Sequence, residues 1–502
     1  MTVNEKTDNN FGGASVPASR LVSSLAPPID ASLCVPLLAL FGGAALWLVA
    51  GSVLALIAAI KFHAPGFLAD CPVLTYGRVQ PAADDALLYG FCIPAGLGVV
   101  LWLFVRLGQL PLRGAMVPVV AANLWHFGVF IGLAAILAGD STGHAWLEFP
   151  RAGSVVMFFA YLLLALWATM NFAGRRERAL YPSHWFLVAA LFWFPWIYST
   201  ANLFLVAWPV RGVVQAIIGW WFANNLVFIW LALVGIGTAF YFLPKYAGRP
   251  LQSYYLALYA FWMLILFGTW CGIPQGSPVP AWLPTLSAFA AVMVLVPVLA
   301  IAVVMWQTVR GGEKCAGLGG PYCFIRFGLV AFLLSSLMLI AMACPKISLI
   351  TQFTWFGPAQ IQLQLYGFFA MTMFGAIYHL LPGVVGFAWP FPKLARLQFW
   401  LSMIGIVLFV VPLAIGGVVQ GMKLHDGMVF LGANQAALLW FRISTTGLLL
   451  VVLGNLLFAL NIFALTAVWK LALAKNIIAC VKPALETIPA PASLRGEEEV
   501  KA

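Results

Sequence analysis

Histidine and the acidic residues are the side chains of this chain with the clearest capacity for chemistry. Paired imidazoles on facing helices ligate haem iron, and a carboxyl group inside a membrane can carry a proton or an ion. The chain has six histidines and 15 acidic residues. Only His126 and His379 fall in or near apolar segments, and a lone histidine there is typical of hydrogen-bonded packing. The spacing therefore predicts no paired-imidazole site.

The acidic residues closest to the apolar segments are expected at the ends of those segments. Asp84 and Asp85 stand at the mouth of the second segment, Arg106 stands at its far end, and Glu148 falls in a predicted loop. Ion-coupled transporters usually keep a titratable group at mid-membrane depth, so this class is disfavoured, while a polar-lined facilitator stays open. The eight cysteines form no C-x-x-C pair, which argues against a zinc knuckle and covalent haem attachment.

The elements that carry these residues are apolar enough to cross a membrane. Hydrophobic residues make up 63% of the 502 residues and charged residues 8%, against about 25% charged in soluble domains. Splitting the apolar runs at proline, glycine and charge clusters predicts an all-α polytopic membrane protein. Its twelve predicted spans are 32–60, 85–107, 115–138, 153–173, 183–208, 212–243, 251–272, 279–309, 323–343, 360–382, 397–421 and 443–469.

Basic residues divide unequally between the two sets of loops. With twelve spans, 19 of the 26 Lys and Arg residues fall on the side of the termini and seven on the other. The positive-inside rule therefore predicts a multi-pass protein of the cytoplasmic (inner) membrane with both termini in the cytoplasm. The same distribution explains the net charge of +11 without a nucleic-acid partner. Polar tails are predicted at 1–30 and 471–502, around a membrane domain at 31–470.

Three segments have a distinctive sequence: GRRERALYPSHWF at 174–186, WWFANNLVFIWLALVGIGTAFYFLPKYAGRPLQSYYLALYAFW at 220–262 and QLYGFFAMTMFGAIYHLLP at 364–382. They resemble subunit I of the haem-copper oxidase superfamily, most closely the C-class (cbb-type) cytochrome c oxidases and the nitric oxide reductase large subunit. The resemblance implies a twelve-helix, subunit I-like bundle. It also implies where the family binds its metals.

Six positions that hold histidine ligands in that family hold other residues here: Ala83, Asn224, Pro274, Gln275, Gln360 and Gln362. Asn224, Pro274 and Gln275 match the copper ligands. Ala83 matches a low-spin haem ligand, and the pair Gln360 and Gln362 matches an H-x-H motif that serves both haems. Amide oxygens are weak, hard donors, and alanine and proline offer none. We therefore expect no cofactor or metal bound in the family manner and no catalysis by this chain alone.

Two family residues are retained. Arg442 matches an arginine that pairs with haem propionates in the family, and Tyr254 matches the active-site tyrosine of the C class. Both fall near span ends, where such residues commonly anchor or pack. We interpret Arg442 as an interfacial anchor and Tyr254 as a packing aromatic.

Three functions stay open. The first is a cofactor-free structural or assembly subunit of a membrane respiratory or copper-handling complex, with other respiratory subunits and cytochrome c-type proteins as partners in the bilayer. Its vacated haem sites should be packed by larger side chains, closed by neighbouring helices, or wet. The second is an active terminal oxidase or nitric oxide reductase with haem b and copper. The third is a binding or transport protein whose vacated cavities are lined by the amides Asn224, Asn225, Gln275, Gln360, Gln362 and Gln364.

Overall fold

The computed structural model describes residues 28–310 and 320–486, and these two ranges contain helices and no β-strand. Eleven of the helices are long and apolar enough to cross a membrane, and a twelfth, Tyr254–Gly268, has 15 residues. Numbered in chain order, spans 1 to 12 are Cys34–His63, Tyr76–Gly108, Met116–Ala138, Arg151–Ala173, Pro182–Ala207, Val213–Ala247, Tyr254–Gly268, Trp282–Val309, Pro321–Ala343, Phe356–Val385, Pro392–His425 and Phe430–Ala479.

A helix therefore stands at each of the twelve predicted spans, and the polytopic all-α fold is confirmed. Span 7 is the exception in length, since 15 residues rise about 22 Å against a hydrocarbon thickness of about 30 Å. Proline and glycine set several helix ends. Spans 5 and 9 begin with Pro182 and Pro321, where a missing N–H costs nothing. Spans 6 and 10 end before Gly248 and Gly386, which take the left-handed conformation.

Spans 2, 6 and 10 form the interior of the bundle. The most apolar stretches of these spans are 100%, 94% and 83% buried, against 33–56% for the other long spans. The three helices meet at Gly96 of span 2, where an added Cβ would lie 3.1 Å from both Trp230 of span 6 and Phe369 of span 10. Large aromatic side chains thus fill the point where the central helices cross.

Each central span contains a π-helical turn beside a position matched to a metal ligand. The turns are Ala86–Cys92 in span 2, Asn225–Trp230 in span 6 and Leu363–Ala370 in span 10. They begin three residues after Ala83, directly after Asn224 and directly after Gln362. Such turns are rare and occur frequently at functional sites, so their placement directs attention to these three positions.

The boundary of span 2 differs from the sequence-based one. The helix begins at Tyr76, nine residues before the predicted start at 85. Asp84 therefore lies about 12 Å from the first residue of this helix, and the predicted start of span 2 at residue 85 is too late in the chain. At the other end of the chain, the last helix runs from Phe430 to Glu486 and so continues into the predicted tail. Residues 1–27 and 487–502 of the two tails lie outside the described residues.

Candidate functional site

A cavity of about 270 Å³ lies between spans 1, 2, 10, 11 and 12. Ala83 and Gln362 both lie on its wall, so the structure brings together a position matched to a low-spin haem ligand in span 2 and one in span 10. The expected filling by larger side chains has not removed the space here. This cavity is therefore the candidate functional site.

Asp84 supplies an acidic group to this cavity. Gln80 donates a hydrogen bond from Nε2 to Asp84 Oδ2 at 2.8 Å, and Gln362 donates from Nε2 to Oδ1 at 3.2 Å. Among the residues that the structure describes, no basic side chain lies within 4 Å of Asp84. Two amides therefore orient the carboxyl group, and no protein cation neutralises it.

Gln362 also presents an acceptor with no partner. Because its Nε2 donates to Asp84, its Oε1 is the remaining polar atom, and that oxygen is buried without a hydrogen-bond donor among the described residues. A buried acceptor without a donor costs about 1–3 kcal/mol. The Asp84 carboxyl group and the Gln362 amide thus lie together at the cavity wall, and no described basic side chain lies within 4 Å of the carboxyl group.

Aromatic rings form another part of the wall. The ring of Phe62 lies 4.9 Å from that of Trp355 and 5.2 Å from that of Phe441, both edge to face. The rings of Trp355 and Phe441 are 5.8 Å apart. All three residues line the cavity. Their faces are suited to apolar bodies and to cations, because the π-system is negative at its face.

A second acidic group lies beside the cavity without lining it. Asp85 is fully buried, and no N–H or O–H of a described residue donates to either of its oxygens. Its carboxyl group instead interacts with that of Glu148, in the loop before span 4. Two neighbouring buried carboxyl groups resist ionising together, because two adjacent buried negative charges repel. Asp84 and Asp85 thus both lie in the first third of the helix Tyr76–Gly108.

Glu148 lies outside the spans, and its environment changes the pKa of its carboxyl group. Burial raises the pKa of the Glu148 carboxyl group above its ordinary value, and the nearby Asp84 carboxyl group raises this pKa further. The loop that carries Glu148 is fixed to span 2 by Tyr89, whose hydroxyl donates to the carbonyl oxygen of Trp146 at 2.5 Å. Trp146 is itself part of the cavity wall, so loop and cavity are one structural unit.

The positions matched to copper ligands lie near one another, but they do not fit a copper ion. Asn224 packs against Gly272, where an added Cβ would be 2.6 Å from its side chain, beside the loop that carries Pro274 and Gln275. Its Nδ2 donates to the carbonyl oxygen of Gly268 at 2.8 Å, and Gln275 donates to that of Pro284 at 2.6 Å. These amides are committed to backbone groups, and neither they nor proline are good copper donors.

The amides expected to line a pocket mostly bond to the protein instead. Gln360 donates to the Ser335 carbonyl oxygen at 3.4 Å, and Gln364 accepts from the Ser335 hydroxyl at 2.5 Å. Asn225 accepts from an indole N–H and donates to the Thr269 carbonyl oxygen. Of the six amides, Gln362 lies on the wall of the cavity, and the other five do not. This cavity therefore takes in one of the six amides, and hydrogen bonds between helices engage most of the others.

The residues around the cavity do not fit haem either. No imidazole is among the described residues that line it. His379 lies elsewhere, with its Nδ1 2.8 Å from the Tyr246 hydroxyl, as expected of a packing histidine, and His126 packs over Gly43 of span 1. A volume of about 270 Å³ is also just below the range of about 300–1,000 Å³ that is usual for drug-sized ligands, and haem is at the large end of such molecules.

The two retained family residues have different positions. Tyr254 begins span 7, is 37% exposed and donates its hydroxyl to the Leu180 carbonyl oxygen at 3.2 Å. Asn224 bonds to Gly268 at the other end of the same helix, about 21 Å away, so the structure does not bring Tyr254 to the copper-matched residues. Arg442 is exposed and follows Phe441, a residue of the cavity wall.

Asp84 is the acidic residue whose place on a cavity wall the sequence did not predict. The chain contains one signal for it: Gln80 precedes Asp84 by four residues, the spacing at which a glutamine and an aspartate pair on one helix face. That signal is informative only once the helix is known to begin before Gln80. The contribution of Gln362, 278 positions away in sequence, has no local signal.

Comparison with known proteins relates the fold to a family. The family model described as Cytochrome C and Quinol oxidase polypeptide I matches residues 35–450. The cytochrome c oxidase subunit 1 homolog of Azorhizobium caulinodans is 24% identical over 446 residues, which cover 84% of this chain and 80% of that protein. The Cbb3-type cytochrome c oxidase subunit CcoN1 of Stutzerimonas stutzeri is 25% identical over 391 residues, covering 75% and 81%.

A solved structure supports the same architecture. A chain from a cryo-EM structure of a heme-copper terminal oxidase dimer superposes with a TM-score of 0.70 at 15% sequence identity. The match covers 88% of this chain and 84% of the other. At this identity the likeness shows the fold and does not show the chemistry.

Proposed function

This chain belongs to the family of polypeptide I of cytochrome c and quinol oxidases, and from that membership we propose that it is a membrane respiratory subunit that holds neither haem nor copper at the family positions. It acts as a structural or assembly subunit. Its partners are other membrane subunits of a respiratory complex, with cytochrome c-type proteins as the electron carriers of that complex. Both termini lie in the cytoplasm.

One observation carries this proposal: at the six positions matched to metal ligands, no side chain offers an imidazole, and the amides donate to protein groups instead. Asn224, Gln275 and Gln360 donate to backbone carbonyl oxygens, and Gln362 donates to Asp84. Occupation by a metal would break these bonds and leave buried polar groups without partners. Loss of one ligand could be repaired by a neighbour, but loss of all six leaves no nitrogen donor.

The test is a pyridine haemochrome assay combined with elemental copper analysis on the detergent-purified chain. We expect haem and copper far below one equivalent per chain after copurifying cytochromes are removed, with a helical circular dichroism spectrum as proof of folding. Stoichiometric haem and copper that stay with the chain would overturn the proposal and establish an active terminal oxidase. The same preparation, before that removal, identifies the partner subunits by mass spectrometry.

A further inference from the structure

We propose that the cavity beside Ala83 is a binding site for a small organic ammonium ion, with a primary ammonium group bound at Asp84 and Gln362 and an apolar body against the rings of Phe62, Trp355 and Phe441. This inference goes beyond the structural role proposed above. It rests on that role in one respect, namely that haem does not occupy the same space.

Charge is the first argument for a cationic ligand. The carboxyl group of Asp84 lines a cavity inside the membrane domain, and no described basic side chain lies within 4 Å of it. Buried carboxylates in proteins are paired with cations because desolvation of an isolated charge is costly. Gln80 and Gln362 each donate one hydrogen bond to it, which stabilises and orients the carboxylate but supplies no positive charge.

Hydrogen-bonding capacity decides which kind of cation fits. The Oε1 atom of Gln362 is buried and accepts no hydrogen bond from the described residues, and it belongs to the same amide that donates to Asp84. An ammonium group with N–H donors can form a charged hydrogen bond to the Asp84 carboxylate. A quaternary ammonium group has no N–H and cannot form this bond. Primary amines therefore fit better than quaternary ones.

The aromatic part of the cavity wall and the cavity volume determine which ligand body fits. The edge-to-face rings of Phe62, Trp355 and Phe441 offer an apolar surface with negative ring faces. The volume of about 270 Å³ fits a ligand of a single ring or a short alkyl chain. The cavity lies near one end of the bundle, since Phe62 is next to the last residue of span 1 and Tyr76 is the first residue of span 2.

The experiment is isothermal titration of the purified chain in lipid nanodiscs with three probes of similar shape. These are 2-phenylethylammonium, its neutral analogue 2-phenylethanol, and the N,N,N-trimethylated ammonium. We expect the primary ammonium to bind about tenfold or more tightly than the alcohol, because it adds a charged hydrogen bond. The trimethylated probe should bind more weakly than the primary ammonium, because it has no N–H to donate to the Asp84 carboxylate.

Two variants complete the test. Asp84→Asn keeps the shape of the side chain and should lower the affinity for 2-phenylethylammonium about tenfold to a hundredfold, with little effect on the alcohol. Asp426→Asn removes an exposed carboxylate and should change nothing. If Asp84→Asn does not fold, the three-probe comparison on the unaltered chain still decides.

The inference is overturned if the alcohol binds as tightly as the ammonium, if Asp84→Asn binds the ammonium unchanged, or if the folded chain binds none of the probes. Haem content is measured on the same nanodisc preparation. Stoichiometric haem would overturn the proposed structural role, whereas haem-free protein that fails to bind the probes would overturn the ammonium site alone.

Discussion

At the scale of single residues, the contact between Asp85 and Glu148 has a consequence for how stability depends on pH. Asp85 is buried and lies near the Glu148 carboxyl group, so we expect the folded chain to keep a proton on this pair that the unfolded chain releases near the ordinary pKa of glutamate. Burial raises the pKa of Glu148 in the folded state. The unfolded state therefore binds fewer protons than the folded state between the two pKa values, and stability falls as the pH rises through that interval.

Glu148→Gln should flatten this dependence, because the amide is uncharged at every pH and can donate to Asp85. We expect the thermal midpoint of unfolding of the unaltered chain to fall as the pH rises from 4.5 to about 7, and that of the variant to change less. Thermal unfolding in detergent, followed by circular dichroism, measures both. Glu177→Gln, at an exposed loop position, is the control and should retain the full dependence. An identical slope for Glu148→Gln and the unaltered chain would contradict the shared proton.

At the scale of elements, spans 11 and 12 are held together by small residues. An added Cβ on Gly447 of span 12 would lie 2.3 Å from the backbone nitrogen of Phe409, and one on Gly405 of span 11 would lie 2.9 Å from that of Val451. Backbones can approach this closely only where side chains are absent, and in lipid such packing and interhelical hydrogen bonds replace the hydrophobic effect as the source of association. Spans 11 and 12 also form part of the cavity wall.

Gly447→Ala should therefore destabilise the protein by about 1–3 kcal/mol, the usual cost of overpacking, because the backbone atoms it meets cannot rotate away. Gly42→Ala in span 1 is the matched control, since nothing lies within 4 Å of its added Cβ and alanine favours the helix. The thermal midpoints of the two variants, measured in the same detergent, give the comparison. Equal thermal midpoints of the two variants would contradict close backbone packing between spans 11 and 12.

At the scale of the whole molecule, the proposed orientation is testable through the last helix. This helix runs for 57 residues, from Phe430 to Glu486, which is about 86 Å against a hydrocarbon thickness of about 30 Å. It therefore extends well beyond the membrane at its carboxyl end, where Lys470 and Lys475 lie. Basic residues next to a span favour the cytoplasmic side.

Fusions should report this orientation. Green fluorescent protein placed after Ala502 should fluoresce, because it folds in the cytoplasm. Alkaline phosphatase fused after Gly66, between spans 1 and 2, should be active, because it requires export. The matched control is phosphatase fused after Arg113, between spans 2 and 3, which should be inactive. The reverse pattern for the two phosphatase fusions would show that the topology is opposite to the one proposed.

Sequence reasoning predicted the helices better than their ends. Long apolar runs are unambiguous in lipid, so a helix stands at every predicted span. Span 2 was started at Asp85 because carboxyl groups count against burial, yet the helix reaches back to Tyr76. Part of the reason is tertiary: Gln362 bonds to Asp84, and Glu148 lies near Asp85. No hydropathy window around residue 84 contains Gln362 or Glu148, which lie far along the chain.

The candidate site was predictable only in part, because residues that are distant in sequence form it. The resemblance placed Ala83 and Gln362 at matched ligand positions, and the structure brings both to one cavity. It could not reveal Asp84, because the family match concerns histidines. It also assigned to a pocket the amides Gln360 and Gln364, which in the structure reach Ser335 on span 9. The helix face on which an amide lies decides whether it reaches the cavity or Ser335. π-helical turns change which face a residue occupies.

Those turns have a consequence for how the chain tolerates insertions and deletions. A π-helical turn holds one residue more than an α-helical turn, so removal of a single residue within Leu363–Ala370 can be absorbed by conversion to regular helix. The same deletion in a regular stretch rotates every later side chain by about 100°. Single-residue gaps in alignments of remote homologues should therefore collect at the turns of spans 2, 6 and 10, while the rest of these helices stays ungapped.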